Sequence, residues 1–191
     1  MKSKLIYFFF FNTFLFASGG YDNGSSAGKG LFDFSLTINP FNYFDNGQSY
    51  IIIGYGINDQ IDFQTYYSYL HNGKDNYYFG ALYQFYESNR LDLSTAIGIR
   101  KYTNETKSNF FIPQLLYNLK INNRLSIGGS FVNIREKNKN LGVAKDIFMM
   151  FDFYENNEYK LGFTFGGFNP VLWEPDFGEW YPTYSFEVKI K

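Results

Sequence analysis

The chain of 191 residues contains one histidine and no cysteine, so few combinations of reactive side chains are available to it. His71 lies in the segment HNGKD, four residues before Asp75. A histidine and a carboxylate can form the proton-transfer half of a hydrolytic or acyl-transfer site, the carboxylate orienting the imidazole. No serine stands beside them as a nucleophile. Asn72 and Gly73 explain the segment as a turn, since both residue types tolerate positive φ. The turn is the favoured reading, and catalysis at His71 is kept only as an alternative. The absence of cysteine removes disulfides, thiolate metal sites, a Cys nucleophile and lipidation at Cys. One histidine leaves little for zinc. No metal and no cofactor are therefore expected.

The segment from Gly167 to Pro182 (GFNPVLWEPDFGEWYP) is the other chemically distinctive stretch. Trp173 and Trp180 could stack on a ligand, and Glu174, Asp176 and Glu179 could hold a hard cation or a basic partner. The acids lack the alternating spacing of a calcium loop, so an interfacial cap over one end of the fold is preferred to a binding surface. The basic stretch from Arg135 to Lys145 (REKNKNLGVAK) reads as a solvated hairpin tip, with contact to anionic headgroups as the lesser reading.

The elements that position these residues follow from one repeated pattern. From Leu31 onward, apolar and polar or small residues alternate with a period of two, the signature of strands with two unlike faces. Ten stretches carry it: 32–39, 50–58, 61–70, 76–86, 91–102, 110–121, 125–134, 147–154, 159–166 and 183–190. In the first, Phe32, Phe34, Leu36 and Ile38 oppose Asp33, Ser35, Thr37 and Asn39. In the sixth, Phe111, Pro113 and Leu115 are set against Ile112, Gln114 and Leu116; Pro113 cannot donate to a ladder and predicts a bulge or a strand end. The same alternation assigns Tyr66, Tyr78, Tyr86, Phe148, Met150 and Tyr154 to the second face.

Connections after the second, fourth, sixth and eighth stretches are tight and polar. Most of the others are longer: 40–49, 103–109, 135–146 and 167–182. Only 71–75 is short. Trimmed turns at one end and decorated loops at the other are the asymmetry of an antiparallel up-and-down transmembrane β-barrel, here of about ten strands. Eight is the competing number, reached if 147–154 and 159–166 form an outer hairpin. A mean hydropathy of −0.29 excludes a bundle of membrane helices but not such a barrel. A secreted soluble ligand-binding barrel would instead turn to water a face containing Gly54, Gly56, Gly80, Gly98, Gly128 and Gly162, which fits poorly. In the membrane reading, Phe41, Tyr43, Tyr67, Tyr69, Tyr77, Trp173 and Trp180 form an outer aromatic girdle, and Phe32, Tyr117, Phe153 and Tyr159 an inner one.

Ahead of the strands, Lys2 and Lys4 precede an apolar run, Leu5 to Phe16, and then small residues. This predicts a secretory signal peptide over 1–19, since the run is too short to span a membrane as a helix. Residues 20–30, rich in Gly and Ser, are expected as a flexible periplasmic leader, and 31–191 as the barrel.

The run GYGINDQIDF, Gly54 to Phe63, resembles the strand, tight turn, strand unit of small Gram-negative outer-membrane β-barrel proteins, and 31–191 is similar to that class in rhythm. The resemblance implies insertion in outer-membrane lipid by the barrel assembly machinery, which in that class reads a terminal aromatic residue. This chain ends in Phe186, Val188, Ile190 and Lys191 with no terminal Phe.

If the second face lines a lumen, Asp33, Asp62, Asp92, Asp152 and Glu187 point inward with Arg100, Lys120, Lys160 and Lys189. Near balance argues against a strongly ion-selective ring. A net charge of −1 gives no case for nucleic acid. The expected role is structural or narrow-pore, passing a small solute of unassigned identity, with surface loops free for contacts and no enzymatic activity.

Overall fold

The computed structural model describes residues 24–38, 48–70, 75–103, 106–169 and 181–191. Ten antiparallel strands form one closed barrel: β1 (Phe32–Ile38), β2 (Gln48–Gly56), β3 (Ile61–Leu70), β4 (Asn76–Glu87), β5 (Leu91–Tyr102), β6 (Ser108–Lys120), β7 (Leu125–Glu136), β8 (Lys139–Glu155), β9 (Tyr159–Asn169) and β10 (Tyr181–Ile190). Each strand pairs with its sequence neighbours, and β1 closes on β10 in the register Asp33↔Lys189 and Ser35↔Glu187. Both β8 and β9 belong to the wall, so the strand number is ten and not eight.

One end carries four turns of the same design. Asn58 Oδ1 accepts the backbone N–H groups of Gln60 and Ile61, each at 2.8 Å. Asn122 does the same for Arg124 and Leu125, Asn156 for Glu158 and Tyr159, and the Ser88 hydroxyl for Arg90 and Leu91. Such side chains mimic a backbone turn and set the register of the strands on either side.

The outward face is apolar around the barrel. Phe34, Ile53, Phe63, Phe79, Ile97, Leu115, Phe131, Phe151 and Phe186 are all 38–56% exposed. Outward charges such as Lys101, Arg135 and Lys145 lie toward the long-loop end. Of the residues expected in the girdles, Phe32, Tyr67 and Phe153 are exposed on this face, and Tyr77, Tyr117 and Tyr159 are half-buried.

Three departures from strict alternation correct the sequence reading, each at a bulge, where one extra residue turns the following side chains over. Between Phe111 and Gln114 the register shifts around the cis Ile112–Pro113 bond, so Phe111 is buried and Ile112 is 43% exposed. Shifts at Gln84/Tyr86 and Asp152/Tyr154 turn Tyr86 and Tyr154 outward. A fourth correction concerns 135–146, expected as a loop. It is mostly strand, a continuous hairpin that turns at Lys137 and Asn138, with Ala144 and Asp146 buried and Val143 and Lys145 exposed. The expected signal peptide, His71, and Trp173, Glu174, Asp176, Glu179 and Trp180 lie outside the described residues.

Candidate functional site: the lumen and its short-turn mouth

At mid-height the lumen is packed with side chains. Tyr66 and Tyr78 stack with ring centroids 5.0 Å apart, and the edges of Tyr50 and Phe111 close on them at 5.0 and 5.5 Å. Leu82, Leu116 and Val132 complete this cluster, all fully buried. The inward glycines form the floor on which the rings lie. A Cβ at Gly80 or Gly98 would overlap Tyr78, and one at Gly128 or Gly166 would overlap Phe148. Glycine on the inner face thus lets a ring lie flat across neighbouring strands, as the close approach of another group requires.

Arg100 sits above this waist on the long-loop side, its guanidinium carbon 5.0 Å from the Phe111 centroid and 5.3 Å from that of Tyr102. Cation–π contact of this kind attracts the guanidinium to the ring faces. On β8, Asp146 accepts the Ser130 amide and, at 2.9 Å, the Ser130 hydroxyl. On the β1/β10 side a hydroxyl column fills the wall: Ser35 and Ser185 share a bond of 2.5 Å, and Thr37 donates to Ser185 at 3.2 Å.

Below the waist, at the short-turn end, a cavity of about 880 Å³ opens. Lys120 pairs with Asp92 at 2.7 Å, and Lys160 with Asp152 at 2.6 Å. Glu187 accepts the Thr164 hydroxyl. Its lining includes Asp33, Asp92, Lys120, Asp152, Lys160, Glu187 and Lys189. The structure therefore gathers seven of the nine predicted lumen residues around one mouth. Asp62 stands beside it, under residue Ala27, and Arg100 lies apart, above the waist.

Residues 24–30, within the expected leader, are bonded inside this mouth. Ser26 N donates to Gln84 Oε1 at 2.6 Å, and Ala27 N to Asp62 Oδ2 at 2.9 Å. Ser25 Oγ donates to Asp92 Oδ2 at 2.5 Å and accepts Asn118 Nδ2 at 2.8 Å. Ser94 Oγ donates to the Gly24 carbonyl, and Lys189 Nζ to that of Ser26. The segment then turns through Gly28 and Gly30, both at positive φ, a conformation that glycine adopts without steric cost, and enters β1.

Asp146 was missed because it fell in an expected loop, and Phe111 because the bulge inverted its face. Small residues without periodicity marked 24–30 as irregular. Their smallness was also the available signal for close approach to a wall.

No protein-family model matches the chain, and no curated protein matches it. Among solved structures, the chain is similar to a KdgM porin, at 9% identity and a TM-score of 0.48, covering 84% of this chain and 98% of that one. It is likewise similar to a KdgM porin in complex with disordered oligogalacturonate, at 9% identity and a TM-score of 0.49, with the same coverage.

Proposed function

We propose that the protein is an outer-membrane β-barrel that passes small polar solutes through a narrow lumen. The observation that carries this is the placing of polarity: an apolar outer surface surrounds an interior whose charged, hydrogen-bonded groups gather at the mouth below an aromatic waist. Water-exposed proteins rarely carry contiguous apolar patches beyond a few hundred Å². A closed barrel with no free edge satisfies its backbone groups in lipid. The charged mouth cavity supports a passage. Lipid is the partner of the outer face, and assembly by the barrel assembly machinery is part of the same reading. Neither a cofactor nor a catalytic step enters it.

A purely structural barrel is the second reading, favoured by the packed waist around Tyr66, Tyr78, Phe111 and Phe148. Planar-bilayer recording separates the two. Discrete single-channel steps from the purified, heat-modifiable protein are the expected result. Folded protein that inserts without any conductance supports the structural barrel instead.

A further inference from the structure

We infer that the short-turn mouth is a binding site for a peptide segment of small residues, occupied in cis by Gly24 to Gly28, and that this occupancy narrows the passage. The inference rests on the channel reading and adds to it a plug.

The segment is bound as a ligand is bound. Its contacts come from β3 (Asp62), β4 (Gln84), β5 (Asp92 and Ser94), β6 (Asn118) and β10 (Lys189), half the strands of the wall. Two backbone N–H groups and two backbone carbonyls of the segment are satisfied by wall side chains, so recognition is largely of the main chain, with the Ser25 hydroxyl adding to it. Gln84, Asp92, Ser94 and Asn118, at 0–6% exposure, are covered where the segment lies. Without it they would face the lumen.

Size selects the sequence. A Cβ on Gly24 would stand 2.7 Å from Tyr117 Cα and 2.9 Å from the Asp92 carbonyl oxygen, both main-chain atoms that cannot step aside. From the wall side, a Cβ on Gly56 would overlap the Gly28 carbonyl. Residue 24 is glycine because nothing larger fits there. The segment occupies part of the mouth, and Ser25, Ser26 and Gly28 themselves line the cavity that remains, facing Asp152, Lys160 and Glu187. The plug therefore restricts the mouth and does not seal it.

Seating and restriction are tested together in the full chain. Because the protein has no cysteine, Ser26→Cys and Lys29→Cys report accessibility cleanly in the folded barrel. With the segment seated, a charged maleimide labels the buried Ser26→Cys about ten-fold or more slowly than the exposed Lys29→Cys. Adding Gly24→Val and Ala27→Pro, which overlap the wall and delete the Ala27 donor without touching a strand, abolishes that protection and raises single-channel conductance severalfold. Equal labelling of the two cysteines in the otherwise unaltered chain overturns the inference. Protected Ser26→Cys with identical conductance in both forms overturns the restriction while the channel stands. Silence of both forms in the bilayer overturns the channel reading, and the restriction with it.

Discussion

Tyr78 lies across Gly98 so closely that a Cβ at residue 98 would overlap the phenol ring, and the ring cannot leave. Tyr78 is fully buried, stacked on Tyr66 and bonded through its hydroxyl to Gln114 Nε2 at 3.0 Å. Gly98→Ala is therefore an overpacking change. It should destabilise the barrel by about 1–3 kcal/mol in urea titrations of the micelle-bound protein. Tyr78→Ala should cost about 3–5 kcal/mol. The double variant should cost less than the sum, because alanine at 98 fills space the ring vacates.

Phe111 and Ile112 exchange the roles that simple alternation gives them. Phe111 is buried in the waist beside Tyr78, and Ile112 stands on the outer face. Phe111→Ala should cost about 3–5 kcal/mol, the loss typical of a buried aromatic. Ile112→Ala should cost well under half as much, measured under the same denaturant conditions. Equal losses would place the two side chains on the wrong faces.

The two ion pairs of the mouth differ in burial, with Asp92 at 2% side-chain exposure and Asp152 at 15%. Asp92 also accepts the Ser25 hydroxyl. Asp92→Asn should lower stability by about 1–3 kcal/mol, the worth of a hydrogen bond to a charged group. Asp152→Asn should lower it by no more than about 1 kcal/mol, as for pairs reached by solvent. Raising salt should weaken the Asp152 pair more than the Asp92 pair.

These contrasts show what the sequence made legible and where it stopped. Strand count and facing could be read because a period of two persists wherever one face meets apolar surroundings, as in Phe32, Phe34 and Leu36 of β1. The pairing of Asp33 with Lys189 needed only the assumption of closure. Bulges were not legible, since nothing in the residues around Gln84 or Asp152 says where an extra residue will be absorbed. Pro113 announced its own irregularity by lacking a donor, but not that Phe111 would turn inward. The β7–β8 hairpin was obscured by its polar tip, Lys137 to Asn140, and by Val143 to Asp146, whose burial alternates although its apolar and charged residues do not. The seated leader was hidden for a different reason: its bonds to the barrel run to residues 26 to 163 positions away, beyond any local pattern.

The cavity lining carries six acids (Asp33, Asp59, Glu87, Asp92, Asp152, Glu187) and four bases (Arg90, Lys120, Lys160, Lys189). That excess predicts weak cation preference, read as the sign of the reversal potential across a salt gradient. Asp33→Asn with Glu187→Gln removes the excess and should bring the reversal potential close to zero. Anion preference in the unaltered protein would contradict the assignment of this mouth as the selective element.

The central claim, that the apolar outer face meets lipid, is tested most directly by asking what keeps the protein folded. In detergent or lipid vesicles it should migrate as a compact band in unheated gels and shift on boiling, and it should precipitate when detergent is removed. A folded, monomeric protein in plain buffer would contradict the claim and return the chain to the soluble binding barrels.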